Sequence, residues 1–424
     1  MKKISVVGFG KIGQAITANI LEHGLSVVAI DINPALGGVF KSGSYRSGEA
    51  GLEEVLQPKF SEGKLSVSSD FTSAEGSEAI IVCIPLLVDK QKNILEEPFL
   101  SCFDRLSAQL KNKVLLVVET SIPVGFARNR IAERLAKSGK KHGVDYLLVH
   151  SPERIKSGTM MKQLLSTPKV IGGLTGEAAQ KGYEVYSLFF RKELLKKVNS
   201  IETAEMIKLA GMSYRDINIA VSNQLAQFAH RAGIDYGEVL AHTNTDGEAH
   251  LLQPGIGVGG HCTPVYPYFL INNFKEYGLD FTLAGESRIV NDRMASYAVS
   301  LLADKHLSEK SAVILGLGFR PDVKEDTFST AYLLKESLTG AGFSVKLCDS
   351  LYTGDELRSK GFEPAEDLYS AGAEAAFLVT AHTEFRNADW KKLYASGLRY
   401  LVDGRYALPG KKIEESGIKY IPVG

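Results

Sequence analysis

The chain has 424 residues, with 49 lysines plus arginines against 49 aspartates plus glutamates, and its 44% hydrophobic and 23% charged content is ordinary for a folded chain of two or three domains. The charge balance excludes a global electrostatic pull toward nucleic acid or an anionic membrane, and no apolar run reaches the roughly 18 residues of a membrane span. Four cysteines, Cys83, Cys102, Cys262 and Cys348, form no CxxC pair, which points to a reducing cytoplasm and away from structural zinc or any other metal site.

The N-terminal MKKISVVGFG reads as a first strand rather than a targeting segment, because its glycines break the apolar run at once. A helix is predicted from Ile12 to about His23, with Gly24 as its stop, and SVVAID forms a second strand. EAIIVCIP (78–85), KVLLVVET (113–120), DYLLVHSPE (145–153) and KVIGG (169–173) are continuous apolar runs, the texture of parallel strands covered on both faces. The alternation predicts a doubly wound, Rossmann-like α/β domain over residues 1–199. Residues 200–232 carry a long helical pattern, with Ser200 as cap, Glu202 in the first turn and Gly233 at the end. At about 1.5 Å per residue it spans roughly 48 Å, long enough to link two domains or form an oligomer seam. It opens a helical connector over 200–305. SAVILGLG (311–318), SVKLCDS (344–350), AAFLVT (375–380) and RYLVDG (399–404) then predict a second Rossmann-like α/β domain over 306–424.

Gly8-Phe9-Gly10-Lys11-Ile12-Gly13 is a GxGxxG set between a strand and a helix. Gly8 permits the tight turn, Gly10 lets a pyrophosphate approach the backbone, and Gly13 lets helix and strand pack closely. The phosphates would lie on the amides at the helix start, beside Lys11 and Ile12. Asp31 ends the next strand, where a carboxylate accepts from ribose hydroxyls and repels a 2′-phosphate, so NAD is expected over NADP. The second α/β domain carries Gly316 and Gly318, but Pro321 replaces the third glycine, and Asp349 ends its second strand. That degenerate turn suits a nucleotide other than a full dinucleotide.

Cys262 stands apart from the other cysteines: Cys83 and Cys348 lie in apolar strands and Cys102 in a helix or loop, and all three read as packing. It sits in PGIGVGGHCTPVYP, where glycines allow close approach of a ligand and prolines stiffen the loop. A catalytic thiol needs such access. The chain resembles the UDP-sugar (UDP-glucose/GDP-mannose) 6-dehydrogenase family along nearly its whole length. VGFGKIG is similar to its NAD turn, ETSIPVGF (119–126) to STVPxG, SPERIKSG (151–158) to its SPE motif, ETAEMIKLAGMSYRDINIA (202–220) to its central helix, GVGGHC to its nucleophile loop, and LGLGFRPDVKEDTFS to LGLAFKP.

The resemblance implies NAD-dependent four-electron oxidation of a sugar C6 hydroxymethyl to the uronate through a cysteine thiohemiacetal and thioester. It assigns Cys262 as nucleophile, Lys208 as oxyanion stabiliser, Glu153 as base for thioester hydrolysis and Ser121 as a hydroxyl that orients water or substrate. Pro85 and Thr120 would join the cofactor site. Arg154, Met212, Gly257, Gly259, Gly260, His261, Tyr266, Phe319 and Arg320 would line the substrate site, with Arg320 anchoring the diphosphate, Lys324 either a weaker anchor or only a solvated charge, and Tyr268 and Phe269 either lining the sugar pocket or only packing. GGHC resembles the branch that oxidises 2-acetamido sugars, favouring UDP-N-acetylmannosamine or UDP-N-acetylglucosamine over UDP-glucose. The resemblance further implies a homodimer packed through the 200–232 helix.

Three positions depart from the family. Met212 stands where asparagine follows the helix lysine by four residues. Tyr266 replaces the aspartate four residues past the cysteine and is no comparable base near neutral pH. Thr327-Phe328-Ser329 replaces an RES triplet. The departures keep two other readings open: a two-electron dehydrogenase related to the β-hydroxyacid type, and a non-catalytic NAD and nucleotide-sugar sensor.

Overall fold

The computed structural model describes residues 3–89 and 91–423. Contacts divide the chain into two compact units, one ending at Gly211 and the other starting at Met212, so the division falls inside the helix Ile201–Ala232. That helix matches the predicted 200–232 segment: the Ser200 hydroxyl accepts from the Thr203 N–H at 3.1 Å, and Gly233 turns away with φ of 70°.

Unit 1 contains β1 (Lys3–Val7), β2 (Ser26–Ile30), β3 (Leu65–Ser68), β4 (Ala79–Val82), the small hairpin β5 (Leu87–Val88) and β6 (Ile94–Leu95), β7 (Val114–Val118), β8 (Tyr146–His150), β9 (Lys169–Gly173) and β10 (Leu195–Val198). The main sheet runs β10-β9-β8-β7-β4-β1-β2-β3. From β3 through β8 it is parallel, and the order reverses between β1 and β4. In doubly wound sheets the crevice at such a reversal, beyond the C-terminal ends of the strands, is where ligands bind. A wholly parallel sheet needs one correction. β9 pairs antiparallel with β8, Val149 opposite Gly173, and β10 is parallel to β9. Only the five-residue helix Met160–Leu164 lies between β8 and β9, too short to cross a sheet face, so the chain turns back at the edge where it left.

Unit 2 contains β11 (Ser311–Leu315), β12 (Ser344–Cys348), β13 (Glu363–Pro364), β14 (Ala375–Leu378), β15 (Tyr400–Asp403) and β16 (Lys419–Pro422), in a fully parallel sheet ordered β13-β12-β11-β14-β15-β16. Both sheets therefore wind outward in two directions from their first strand. Strand pleating sends alternate residues to opposite faces. Ala312 and Ile314 join Leu334, Phe377 and Val402 in one core, while Val313 and Leu315 join Leu378, Trp390 and Leu401 in the other. Each buried aliphatic side chain contributes roughly 1.5–3 kcal/mol, which explains why these strands read as unbroken apolar runs. Among the described residues no helix is long and apolar enough to cross a membrane.

The contact that fixes the first helix against β1 is unusually close. A Cβ on Gly13 would stand 2.0 Å from the carbonyl oxygen of Gly8. Gly13→Ala is expected to destabilise the protein by about 3 kcal/mol, the upper end of overpacking costs, read as a lowered midpoint in urea unfolding. Gly10→Ala, whose Cβ meets nothing within 4 Å, is expected to leave that midpoint in place.

Candidate active site

The first glycine turn follows β1 and opens the helix Lys11–Glu22. Gly8 takes φ of 90°, and a Cβ there would lie 2.8 Å from the Ile84 N atom. Phe9 donates its N–H to Asp31 Oδ2 at 2.7 Å, and Asn33 donates to Asp31 Oδ1 at 2.9 Å. Each carboxylate oxygen keeps a lone pair for a further donor. Gly10 is exposed with open space around its Cα, so the first amides of the helix, at Lys11 and Ile12, start beside a space free for a phosphate. Pro85 is exposed just past β4, and Thr120 donates to the Ile84 carbonyl at 2.5 Å. This crevice fits a dinucleotide: an acid for the ribose, open backbone for the pyrophosphate, and no lysine or arginine from 32 to 40 to receive a 2′-phosphate. Ile32, 74% exposed beside Asp31, gives it an apolar rim that the sequence reading did not single out.

The second turn repeats the first with one difference. Leu317 donates to Asp349 Oδ2 at 2.7 Å and Leu351 to Asp349 Oδ1 at 3.0 Å, as Phe9 and Asn33 do to Asp31. Here the acid is buried and meets His382 Nε2 at 3.2 Å. The His382 ring covers the carboxylate that a ribose would need. The degenerate second turn therefore lacks the acceptor that the first turn offers.

Glu153 and Lys208 are both buried, each 8% exposed, rather than solvated surface charges. Glu153 follows β8 in a tightly held carboxylate site. Its Oε1 accepts from the N–H groups of Arg154 at 2.5 Å and Ile155 at 3.0 Å, and its Oε2 meets Lys169 Nζ at 2.9 Å. Lys169 also pairs with Glu119, which accepts from the Tyr186 hydroxyl. Burial alone would raise the Glu153 pKa, but the Lys169 ammonium, the Arg154 N–H and the field of Lys208 outweigh it and hold the carboxyl below its usual range. Burial pushes Glu119 up to about 7 despite Lys169. The sequence reading missed Glu119, Lys169 and Tyr186, because the three come from β7, β9 and a helix that meet only in the fold. Ser121 is buried after β7, and Arg154 points outward as an exposed side chain.

One turn before Lys208, Glu205 accepts from the N–H groups of Gly125 at 2.6 Å and Ala127 at 2.9 Å, at the start of the π-helical turn Ala127–Ala132. Burial raises its pKa to about 8. Met212 is half-buried on the same helix.

In unit 2, Cys262 is half-exposed and its carbonyl accepts from Val265 at 3.2 Å and Tyr266 at 2.9 Å, at the opening of the helix Tyr266–Glu276. The loop before it lies on Phe319. A Cβ on Gly259 would stand 2.9 Å from the Phe319 Cβ, and one on Gly260 would stand 2.9 Å from the Phe319 ring. Gly257 takes φ of 123° with Thr330 beside it. Where the RES triplet is absent, the backbone still holds the loop: Gly260 donates to the Thr327 carbonyl at 3.0 Å. Arg405, missed in the sequence, adds a bond to the Gly257 carbonyl at 3.3 Å. Burial lowers the Arg405 pKa to about 10. His261 faces Glu325 at 3.0 Å, and Arg320 lies over the Phe319 ring at 5.3 Å. Burial pulls the Arg215 pKa down, and that guanidinium also feels Arg320 and Cys262. Tyr266 packs on the fully buried Phe269, and Tyr268 is half-buried. Lys324 is bound to Glu356 at 2.6 Å, a surface ion pair.

A cavity of about 950 Å³ lies at the opposite, N-terminal edge of the first sheet, lined by Lys3, Glu78, Lys111, Lys113, Glu177 and Lys181. Lys113 pairs with Glu177 at 2.6 Å and Lys181 with Glu78 at 3.3 Å, and the cavity has no part in the crevice.

Sequence models of the UDP-glucose/GDP-mannose dehydrogenase family match the chain in three consecutive parts: the NAD binding domain at residues 2–190, the central domain at 202–293 and the UDP binding domain at 313–410. A UDP-N-acetyl-D-mannosamine dehydrogenase of Pyrococcus horikoshii is 30% identical over 419 residues, covering 95% of each chain. The structure of the UDP-D-ManNAc dehydrogenase from the same organism superposes with a TM-score of 0.88 at 28% identity, covering 99% of both chains. A UDP-N-acetyl-mannosamine dehydrogenase structure from Staphylococcus aureus gives a TM-score of 0.85 at 27% identity, covering 100% of this chain and 99% of that one.

The two raised carboxyls have a stability consequence. A folded pKa of about 8 for Glu205 means that, between the unfolded value near 4.5 and about 8, the native state holds a proton the unfolded chain has released. Stability from this group is present below that window and falls as pH rises through it. Glu205→Gln is expected to become progressively more stable relative to the parent from pH 5 to pH 8, measured by urea unfolding at each pH. Lys169→Met leaves two buried carboxylates facing each other and is expected to cost about 3–5 kcal/mol at neutral pH, with part of the loss recovered in acid.

Proposed function

Because the chain belongs to the UDP-glucose/GDP-mannose dehydrogenase family, and is therefore an NAD-dependent oxidoreductase acting on a UDP-sugar, we propose that it oxidises the C6 hydroxymethyl of a UDP-N-acetylhexosamine, preferentially UDP-N-acetylmannosamine, to the uronate. The observation that carries the reading is the setting of Cys262. Burial pushes the thiols of Cys102 and Cys348 up to about 12 and that of Cys83 well above its ordinary value, whereas Cys262 is half-exposed in a glycine loop. The GGHC string and the names of the similar proteins support the acetamido sugar.

Two NAD molecules, bound one after the other in the crevice beside Gly10 and Asp31, would each accept one electron pair from C6, the first pair from the alcohol and the second from the cysteine adduct. The chain's residues do the rest. The Cys262 thiolate adds to the C6 aldehyde, which keeps it from escaping, and the Lys208 ammonium stabilises the oxygen charge that develops. Oxidation of the resulting thiohemiacetal leaves a thioester, and water hydrolyses it to the carboxylate and the free thiol. Glu153, kept ionised by Lys169, accepts a hydrogen bond from that water, with Ser121 as its second partner. A low pKa makes Glu153 an orienting group more than a strong base. Arg320 would hold the diphosphate and Tyr266 the sugar. Residues 1–199 serve NAD, 200–305 carry the cysteine loop and the dimer contact, and 306–424 serve the uridine diphosphate.

Dimerisation rests on the Ile201–Ala232 helix, where Met206, Tyr214, Val221, Leu225 and Phe228 are exposed. At 3.6 residues per turn these five fall within an arc of roughly 100°, an apolar stripe that a second copy would cover. The free cysteines suit a cytoplasmic protein.

The direct test counts NADH per sugar consumed with the UDP forms of N-acetylmannosamine, N-acetylglucosamine and glucose. Two NADH per UDP-N-acetylmannosamine are expected, with Cys262→Ser losing the second. One NADH from the parent protein would mean that Met212 and Tyr266 truncate the reaction; binding without NADH would make the chain a sensor. Phe228→Glu is expected to halve the mass measured by light scattering, and an unchanged dimer would move the interface elsewhere.

A further inference from the structure

The loop that carries Cys262 begins at Gly255, and the N–H of Gly255 does not pair with another loop residue. It donates at 2.8 Å to Oδ1 of Asn223, a fully buried side chain on the Ile201–Ala232 helix. Asn223 Nδ2 donates in turn to Asn291 Oδ1 at 2.9 Å, and Asn291 Nδ2 donates to Asp216 Oδ1 at 2.9 Å and to the Asp216 carbonyl at 3.0 Å. Asp216 Oδ1 also receives Arg288 Nη1 at 2.7 Å. Asp216, Asn223 and Asn291 have no exposed surface, and Arg288 is 3% exposed.

The chain of bonds has a direction. An ionised carboxylate only accepts, so Asn291 must turn its amide nitrogen toward Asp216 and its oxygen toward Asn223. Asn223 must then present its nitrogen to Asn291 and its oxygen to the loop. Gly255, which can only donate its N–H, demands that same orientation from the other end. The charge pair thus sets the orientation of two amides and, through them, one end of the cysteine loop. The same guanidinium also acts on the phenol of Tyr268, in the helix Tyr266–Glu276 that follows the loop. Stability alone does not account for the arrangement. Asp216 Oδ2 and Arg288 Nε are buried with no hydrogen-bond partner among the described residues. Apolar residues of similar volume would commonly serve a core as well as such a pair or better.

We propose that Arg288, Asp216, Asn291 and Asn223 form a polar relay that positions the Cys262 loop for reaction. These are positioning residues: none of them needs to touch the substrate. The inference rests on Cys262 being the nucleophile of the proposed reaction.

The test uses the full chain and three variants: Asn223→Ala, Asp216→Asn and, as a control of comparable core damage, Leu393→Ala, which lies in the other core of unit 2. Two quantities are measured, the rate of iodoacetamide alkylation at Cys262, followed by mass spectrometry of its peptide, and kcat and KM for sugar and NAD. A displacement of about 1 Å at a reacting group costs on the order of 10²-fold in rate. Asn223→Ala is expected to lower kcat by about that factor and to change the Cys262 alkylation rate at least several-fold, with KM for NAD within two-fold of the parent. Asp216→Asn is expected to do the same where it folds, and Leu393→Ala to lower the unfolding midpoint while leaving Cys262 alkylation and kcat in the folded protein unchanged. Alkylation and kcat that match the parent in folded Asn223→Ala, or that shift equally in Leu393→Ala, would overturn the relay. Failure of the underlying reading looks different: Cys262→Ser would retain two NADH per sugar, while the alkylation comparison would still show whether the network holds the loop.

Discussion

In both units, a backbone N–H just after the first glycine bonds to an acid at the end of the neighbouring strand. Phe9 to Asp31 and Leu317 to Asp349 have the same length, 2.7 Å. This bond ties the turn to the second strand, so the helix that follows must start at the point where strand order reverses. The glycines satisfy the constraint because no side chain fits: a Cβ on Gly13 would stand 2.0 Å from the Gly8 carbonyl oxygen, and one on Gly316 would stand 2.5 Å from the Thr380 Cβ. An open turn for a nucleotide depends on that anchoring. The difference between the two turns is decided by what else reaches the acid. Asp31 stays at the surface, and Asp349 is covered by His382.

The chemistry of unit 1 is governed by a lysine that no motif contains. Lys169 places one ammonium between two buried carboxylates, and the two acids respond in opposite directions. Glu153 gains enough from Lys169, two backbone N–H groups and Lys208 to stay ionised, whereas Glu119, with burial dominant, is pushed up to about 7. The same element types, a carboxyl at the C-terminal end of a parallel strand, therefore end with different protonation because their donors differ. Glu205 belongs to the same physics: two backbone donors do not offset the burial of its carboxyl.

The cysteine loop of unit 2 shows how a family motif can lose side chains and keep its geometry. Thr327 lacks the charge of the arginine usual in that triplet, yet its carbonyl receives Gly260, and Arg405 reaches the Gly257 carbonyl from another segment. The small residues of GVGG leave room for the Phe319 ring, and that contact sets the path of the backbone up to Cys262. Tyr266 is a different case. It packs on Phe269, and its phenol cannot replace a carboxylate as a base at neutral pH.

The amino-acid sequence by itself determined the elements and the order in which they come. Unbroken apolar runs named the strands, glycine spacing and Asp31 named the first nucleotide turn, and a cap at Ser200 with a stop at Gly233 bounded the long helix to the residue. These are local signals, set by backbone conformation, capping and burial period, and they survive without knowledge of neighbours. The tertiary structure alone decided the rest, because each remaining feature joins residues far apart in the chain. It turned β9 against β8, brought Lys169 between Glu119 and Glu153, laid His382 over Asp349, and split the apolar pattern of the long helix into a buried face and an exposed one. Periodicity reports that a residue is apolar or charged; only packing decides which partner meets it and whether water remains, and those two conditions set the charge state on which the chemistry turns.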